Sequence, residues 1–166
     1  MKIYKNSFFN LSVSFTEDWY LRSWSNWKKE PEDKGLMQRS DDDIPCVEGE
    51  QKLLFSAIRT VKSPMLISSQ FSLAVYWNEN KFDLNTKVVN VKNEISRKFK
   101  TGNLFGKKTQ VRRIEFSSNS SVSTHEVIVW KASPNLWLSA CMTGDNSENF
   151  EEALLQFNRL ELKNEH

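Results

Sequence analysis

The sequence predicts an α+β domain: an antiparallel β-sheet of about six strands with two main helices packed on it, in the order βββ-α-βββ-α. Three observations carry that expectation. Several short stretches alternate apolar and polar residues with a period of two, as half-buried strands do. Between Leu84 and Phe99 the apolar spacing becomes four, three, four and four, which is one stripe of a helix. A final stretch starting near Asp145 joins a capping signal to a second apolar helical face. The 166 residues fit a single globular domain spanning 1–166.

The first strand is predicted where Phe9, Leu11, Val13 and Phe15 alternate with Asn10, Ser12 and Ser14. A second runs through Lys52–Val61 and a third through Leu66–Trp77, with Pro64 in the link between them. The first helix follows, carrying Leu84, Val88, Val91, Ile95 and Phe99, with Asp83 placed to cap it and Gly102 to end it. Three more strands are predicted at Val111–Phe116, His125–Ala132 and Leu136–Met142, the last after a Pro134-Asn135 turn. Asp145 and Glu148 form a capping box for the last helix, whose apolar face is Phe150, Ala153, Leu154 and Phe157. Leu160 and Leu162 then alternate as a short tail strand. A polar loop of unusual length, about 28–50, separates the first two strands.

Composition excludes several classes. Apolar residues are 39% and charged residues 27% of the chain, with 6 Trp and 11 Phe, which is core-forming rather than disordered or collagen-like material. No apolar run approaches the roughly 20 residues that span a bilayer. The first residues carry a signal peptide's charge without its apolar section, so a cytoplasmic location is expected. The 2 Cys, Cys46 and Cys141, lie far apart and read as free thiols. Scarce Ala and Gly beside abundant Lys, Asn and Ser fit an AT-rich bacterial source.

Charge is uneven along the chain. Residues 51–131 hold 14 basic and 5 acidic side chains, while both flanking segments are net acidic. The basic excess is densest at Arg97, Lys98, Lys100, Lys107, Lys108, Arg112 and Arg113, with Phe99 and Phe105 among them. Cations interleaved with aromatics bind phosphates and stack bases, so this stretch is a candidate nucleic-acid surface. The competing reading places Lys98 and Lys100 at a helix end, where they offset the helix dipole.

Motifs of catalysis are missing. Gly102 to Thr109 superficially resembles a phosphate-binding loop, but three residues rather than four separate its glycines, and Lys107 is followed by Lys108 instead of Ser or Thr. A nucleophilic site would need Cys46 or Cys141 beside His125 together with an orienting carboxylate. One internal His and two separated Cys are too few for a zinc site. The consecutive Asp41, Asp42 and Asp43 lack the spacing of a calcium loop. The chain is therefore read as a non-enzyme with no metal and no cofactor. The strongest binding signal is aromatic: Trp19, Tyr20, Trp24 and Trp27 fall within nine residues, just before the long polar loop that holds the acidic run Asp41–Asp43. These seven residues form the candidate protein-binding surface, with Trp19 the member expected to be buried.

The chain resembles the Mog1/PsbP-like group, which includes DcrB-type proteins and cytosolic adaptors and chaperones of type VI secretion. The likeness rests on an opening Ser12-Val13-Ser14-Phe15-Thr16-Glu17-Asp18-Trp19 and on a close made of Asn135–Ser139, Phe150–Phe157 and Leu160-Glu161-Leu162. The proline that commonly precedes the Trp in that group is absent here. The resemblance implies the Mog1/PsbP-like fold and a non-catalytic role. The expected function is a protein-binding module, an immunity or adaptor/chaperone protein whose partner is a secreted effector or toxin. Nucleic-acid binding through 97–113 is the first alternative, and an enzyme with an unrecognised site the second. No membrane partner is expected.

Overall fold

The structure, a computed structural model, describes residues 2–23, 51–63, 66–77, 83–84, 90–118 and 120–162. The chain is mostly β, with a single helix among the described residues. Two antiparallel sheets are present. The smaller contains β1 (Lys2–Asn6), β2 (Leu11–Phe15) and β10 (Glu161–Leu162), in the order β1-β2-β10. The larger contains β3 (Trp19–Ser23), β4 (Gln51–Arg59), β5 (Ser69–Trp77), β6 (Glu94–Leu104), β7 (Lys107–Ser118), β8 (Ser121–Ser133) and β9 (Leu136–Gly144), in the order β3-β4-β5-β9-β8-β7-β6. The helix α1 (Ser147–Phe157) and the small sheet cover one face of the large sheet.

The core lies between these layers. Phe15 of β2 meets Trp19, Phe55 and Phe71 with ring centroids 5.8, 5.7 and 5.9 Å away. Phe157 of α1 closes the cluster against Phe71 and Trp130. Such tilted and edge-on ring pairs stabilise beyond their buried area. Val111, Ile128, Leu138, Ala140 and Met142 extend the same face across β7, β8 and β9. The opposite, outer face has its own smaller cluster of Leu84, Val127, Val129 and Trp137.

The six-strand, two-helix α+β prediction is overturned. The predicted helix through Leu84–Phe99 is not formed at its C-terminal half: Glu94 onward is the strand β6. Asn93 has a φ of 61°, which no helix interior accepts. Ile95 and Phe99 are exposed, so the apparent helical stripe faces no core. Val88 and the rest of 85–89 lie outside the described residues. Gly102 is not a helix terminator. It sits in mid-strand opposite Thr109, where a Cβ would stand 2.9 Å from the Thr109 hydroxyl. The turn is instead Phe105-Gly106, with φ of 52° and 81°, the two left-handed residues of a tight hairpin between Leu104 and Lys107. The stretch that resembles a phosphate loop is thus a hairpin tip.

Strands β1 and β3 were not expected. The buried positions of β1 are Tyr4 and Asn6, so apolar alternation is lost. Asn6 donates to the Tyr4 hydroxyl at 3.0 Å and accepts from the Phe9 amide at 3.0 Å, which satisfies its buried amide. The N-cap of the last helix lies one residue after the predicted cap Asp145. Asn146 is the N-cap, its side chain accepting from the Asn149 amide at 2.8 Å, while Asp145 accepts from the Asn149 side chain. No helix of the described residues is long and apolar enough to cross a membrane.

Candidate functional site: the basic β6–β7 hairpin and its cleft

Strand pairing decides which cations of the 97–113 stretch are available. Arg97 and Glu94 form a two-point ion pair on β6, with N–O distances of 2.6 and 3.1 Å. Arg113 pairs across the strands with Glu126, its register partner, at 2.8 Å, and its guanidinium lies 4.9 Å from the centre of the Phe150 ring. Arg112 is buried on the outer face between its register partners Phe99 and Val127. Burial lowers its pKa, and the nearby Arg97 charge adds to the effect. The three arginines of the predicted nucleic-acid set are thereby engaged within the fold. Lys98, Lys100 and Lys108 are exposed. Lys107 donates to the carbonyls of Lys131 and Ala132, each at 3.4 Å.

A cleft of about 740 Å³ opens beside this hairpin. Lysines 100, 107, 108 and 131 line it, together with Phe99 and Trp137. Asp83 is the one acidic residue among the described residues of the lining. The Leu84 amide donates to the Gln110 side chain at 2.7 Å, holding residues 83–84 over the end of the strands. Lys131 was not singled out in the sequence, because a lone cation after a strand's apolar run carries no signal. Register supplies it. Lys108 immediately precedes Thr109, and Lys131 immediately follows Trp130, the partner of Thr109. Thr109 and Trp130 point into the core, so the two lysines point to the outer face. Lys131 pairs with Trp137 on β9, its ammonium 6.0 Å from the ring centre.

The outer face also brings Cys141 to His125. The sulfur stands 3.6 Å from Nε2 and 3.8 Å from Nδ1. This is the neighbour a nucleophilic cysteine needs. The electrostatics oppose activation. Burial pushes the Cys141 thiol up to about 11, only partly offset by Arg112. Burial, with the Arg112 charge second, lowers the His125 pKa. At neutral pH both groups are uncharged, the reverse of a thiolate–imidazolium pair. Cys141 is a free thiol, and Cys46 lies outside the described residues. Among the described residues no three His, Cys, Asp or Glu side chains are placed to hold a metal ion.

The predicted aromatic surface is divided. Trp19 is 1% exposed and packs on Phe15, so it offers nothing to a partner. It is set by the turn before it, where its amide donates to the Thr16 carbonyl at 3.1 Å. Tyr20 points the other way along β3 and is 67% exposed. Trp24, Trp27, Asp41, Asp42 and Asp43 lie outside the described residues. No family model matches this chain, and no curated protein matches it at a significant level, so the basic hairpin and its cleft define the site by geometry and charge alone.

Proposed function

We propose that this chain is a non-catalytic protein-binding module, a cytoplasmic immunity or adaptor protein for a bacterial effector or toxin, and that it receives an acidic segment of its partner along β6. One observation carries the reading. β6 is an 11-residue strand at the end of the large sheet, and no described strand pairs with its far side. Along it Ile95 and Phe99 are 59% and 43% exposed, with Lys98 and Lys100 beside Phe99. An open edge of this length offers a row of main-chain donors and acceptors to an added strand. Lysines on such an edge repel a second copy of itself and attract an acidic strand. The contact thus moves from the Trp19–Tyr20 end of the sheet to the opposite edge. The test is co-purification with the product of the neighbouring reading frame. Wild-type protein forms a complex, and the Lys98→Glu/Lys100→Glu double variant loses it with an unchanged Tm. A complex indifferent to those substitutions overturns the β6 assignment.

A second reading, nucleic-acid binding, is favoured by the alternation of exposed Lys98, Lys100 and Lys108 with Phe99 and Phe105 on one hairpin. It is weakened by the engagement of all three arginines. Three lysine–phosphate contacts on a single strand predict a log–log salt slope of about −2. An oligonucleotide affinity with no salt dependence excludes it.

A further inference from the structure

We propose that the cleft beside the hairpin binds a nucleoside phosphate, with Lys108 and Lys131 holding the phosphate and Phe99 stacking on the base. The inference goes beyond the strand-edge reading: the edge lies in the plane of the sheet, whereas the cleft opens on its outer face. Lys108 and Lys131 flank the same rung of the β7–β8 ladder and point to the same side. Like charges set side by side across two strands destabilise a sheet. Neither lysine forms an ion pair with any described acidic residue. Among the described residues of the lining, Asp83 supplies the single carboxylate. The field inside the cleft is therefore positive, and a doubly charged phosphate relieves the repulsion that the fold carries there.

The lining is not only charged. Phe99 is 43% exposed, and alternation along β6 points Lys98 and Lys100 to the opposite face, so neither stem covers its ring. An open ring beside a cationic pocket offers a stacking surface to a base. The Trp137 ring lies in the same lining, with the Lys131 ammonium over it. Thr101 supplies a hydroxyl between Phe99 and the strand end. The volume, about 740 Å³, falls within the range of roughly 300–1,000 Å³ typical of small-molecule pockets.

The same chemistry is carried by a free mononucleotide and by one residue of a single strand. Calorimetric titration separates them, using adenosine 5′-monophosphate, adenosine, inorganic phosphate and a short single-stranded oligonucleotide as probes. The expected result is saturable binding of the monophosphate, weaker binding of inorganic phosphate and weakest binding of adenosine. The Lys108→Gln/Lys131→Gln variant loses about tenfold or more in monophosphate affinity, as expected when charge-assisted bonds are removed. Phe99→Ala weakens the monophosphate and leaves inorganic phosphate unchanged. Binding of the oligonucleotide with a silent monophosphate, still lost in the double lysine variant, assigns the site to a strand. Absence of binding by every phosphate probe, or equal affinity in wild type and the double lysine variant, overturns the proposal.

Discussion

A Cβ at Gly144 would stand 2.1 Å from the backbone nitrogen of Phe150 and 2.4 Å from its Cα. Both are main-chain atoms of α1, so nothing near the glycine can swing aside. Gly144→Ala must push the helix off the end of β9, and a cost of about 3 kcal/mol is expected. Differential scanning calorimetry should show Tm lower by roughly 5–10 °C. Burial ties the titration of Cys141 and His125 to stability. The folded state holds the thiol up at about 11, so it contributes stability below the unfolded thiol's pKa and loses it as pH rises toward 11. The His125 pKa is lowered in the fold, so its contribution is present above about 6.5 and is lost as pH falls. Denaturant unfolding across pH should show Cys141→Ala flattening the alkaline limb and His125→Gln the acid limb. Alkylation of Cys141 at neutral pH should be slow in the native protein and fast once it is unfolded.

At the scale of elements, α1 depends on its cap. Asn146 satisfies the Asn149 amide, and no basic residue stands in the last turn to offset the dipole. Asn146→Ala is expected to cost about 1 kcal/mol, measured as a lower urea midpoint with an unchanged m-value. The β6–β7 hairpin rests on Gly106 and on the Asn103 side chain, which accepts from the Gly106 amide at 2.9 Å. Gly106→Val places a β-branched residue at a φ of 81°. The expected loss is about 1–3 kcal/mol of local stability, seen as faster amide exchange at the hairpin tip while the core amides keep their protection. That confinement follows from topology, because β6 is the terminal strand of its sheet.

For the whole molecule, Phe15 is the joint. It sits on the small sheet and touches Trp19, Phe55 and Phe71 of the large one. Phe15→Ala is expected to cost about 3–5 kcal/mol in equilibrium unfolding, because it opens a cavity between two layers. A single cooperative transition at lower denaturant is the outcome that fits one shared core. Much of this was written locally. The alternation of Leu11, Val13 and Phe15, the runs around β5 and β9, and the apolar face of α1 each reflect burial on one side of one element, which sequence records directly. Other features depend on partners distant in the chain. The spacing of Leu84, Val88, Val91, Ile95 and Phe99 obeys a helical period, yet residues from Glu94 onward gain more by pairing with β7 than by closing helical turns whose apolar side would face solvent. The basic stretch was visible as a cluster, but not that pairing with Glu94 and Glu126 would occupy Arg97 and Arg113, or that Arg112 would be buried. Lys131 joined Lys108, and Cys141 met His125, only through the β7–β8–β9 register. Composition and periodicity by themselves determined a core-rich β framework and a basic middle. Long-range strand register decided which cations stay free and what they surround, because hydrogen-bond pairing between strands is a property of two segments and is encoded in neither alone.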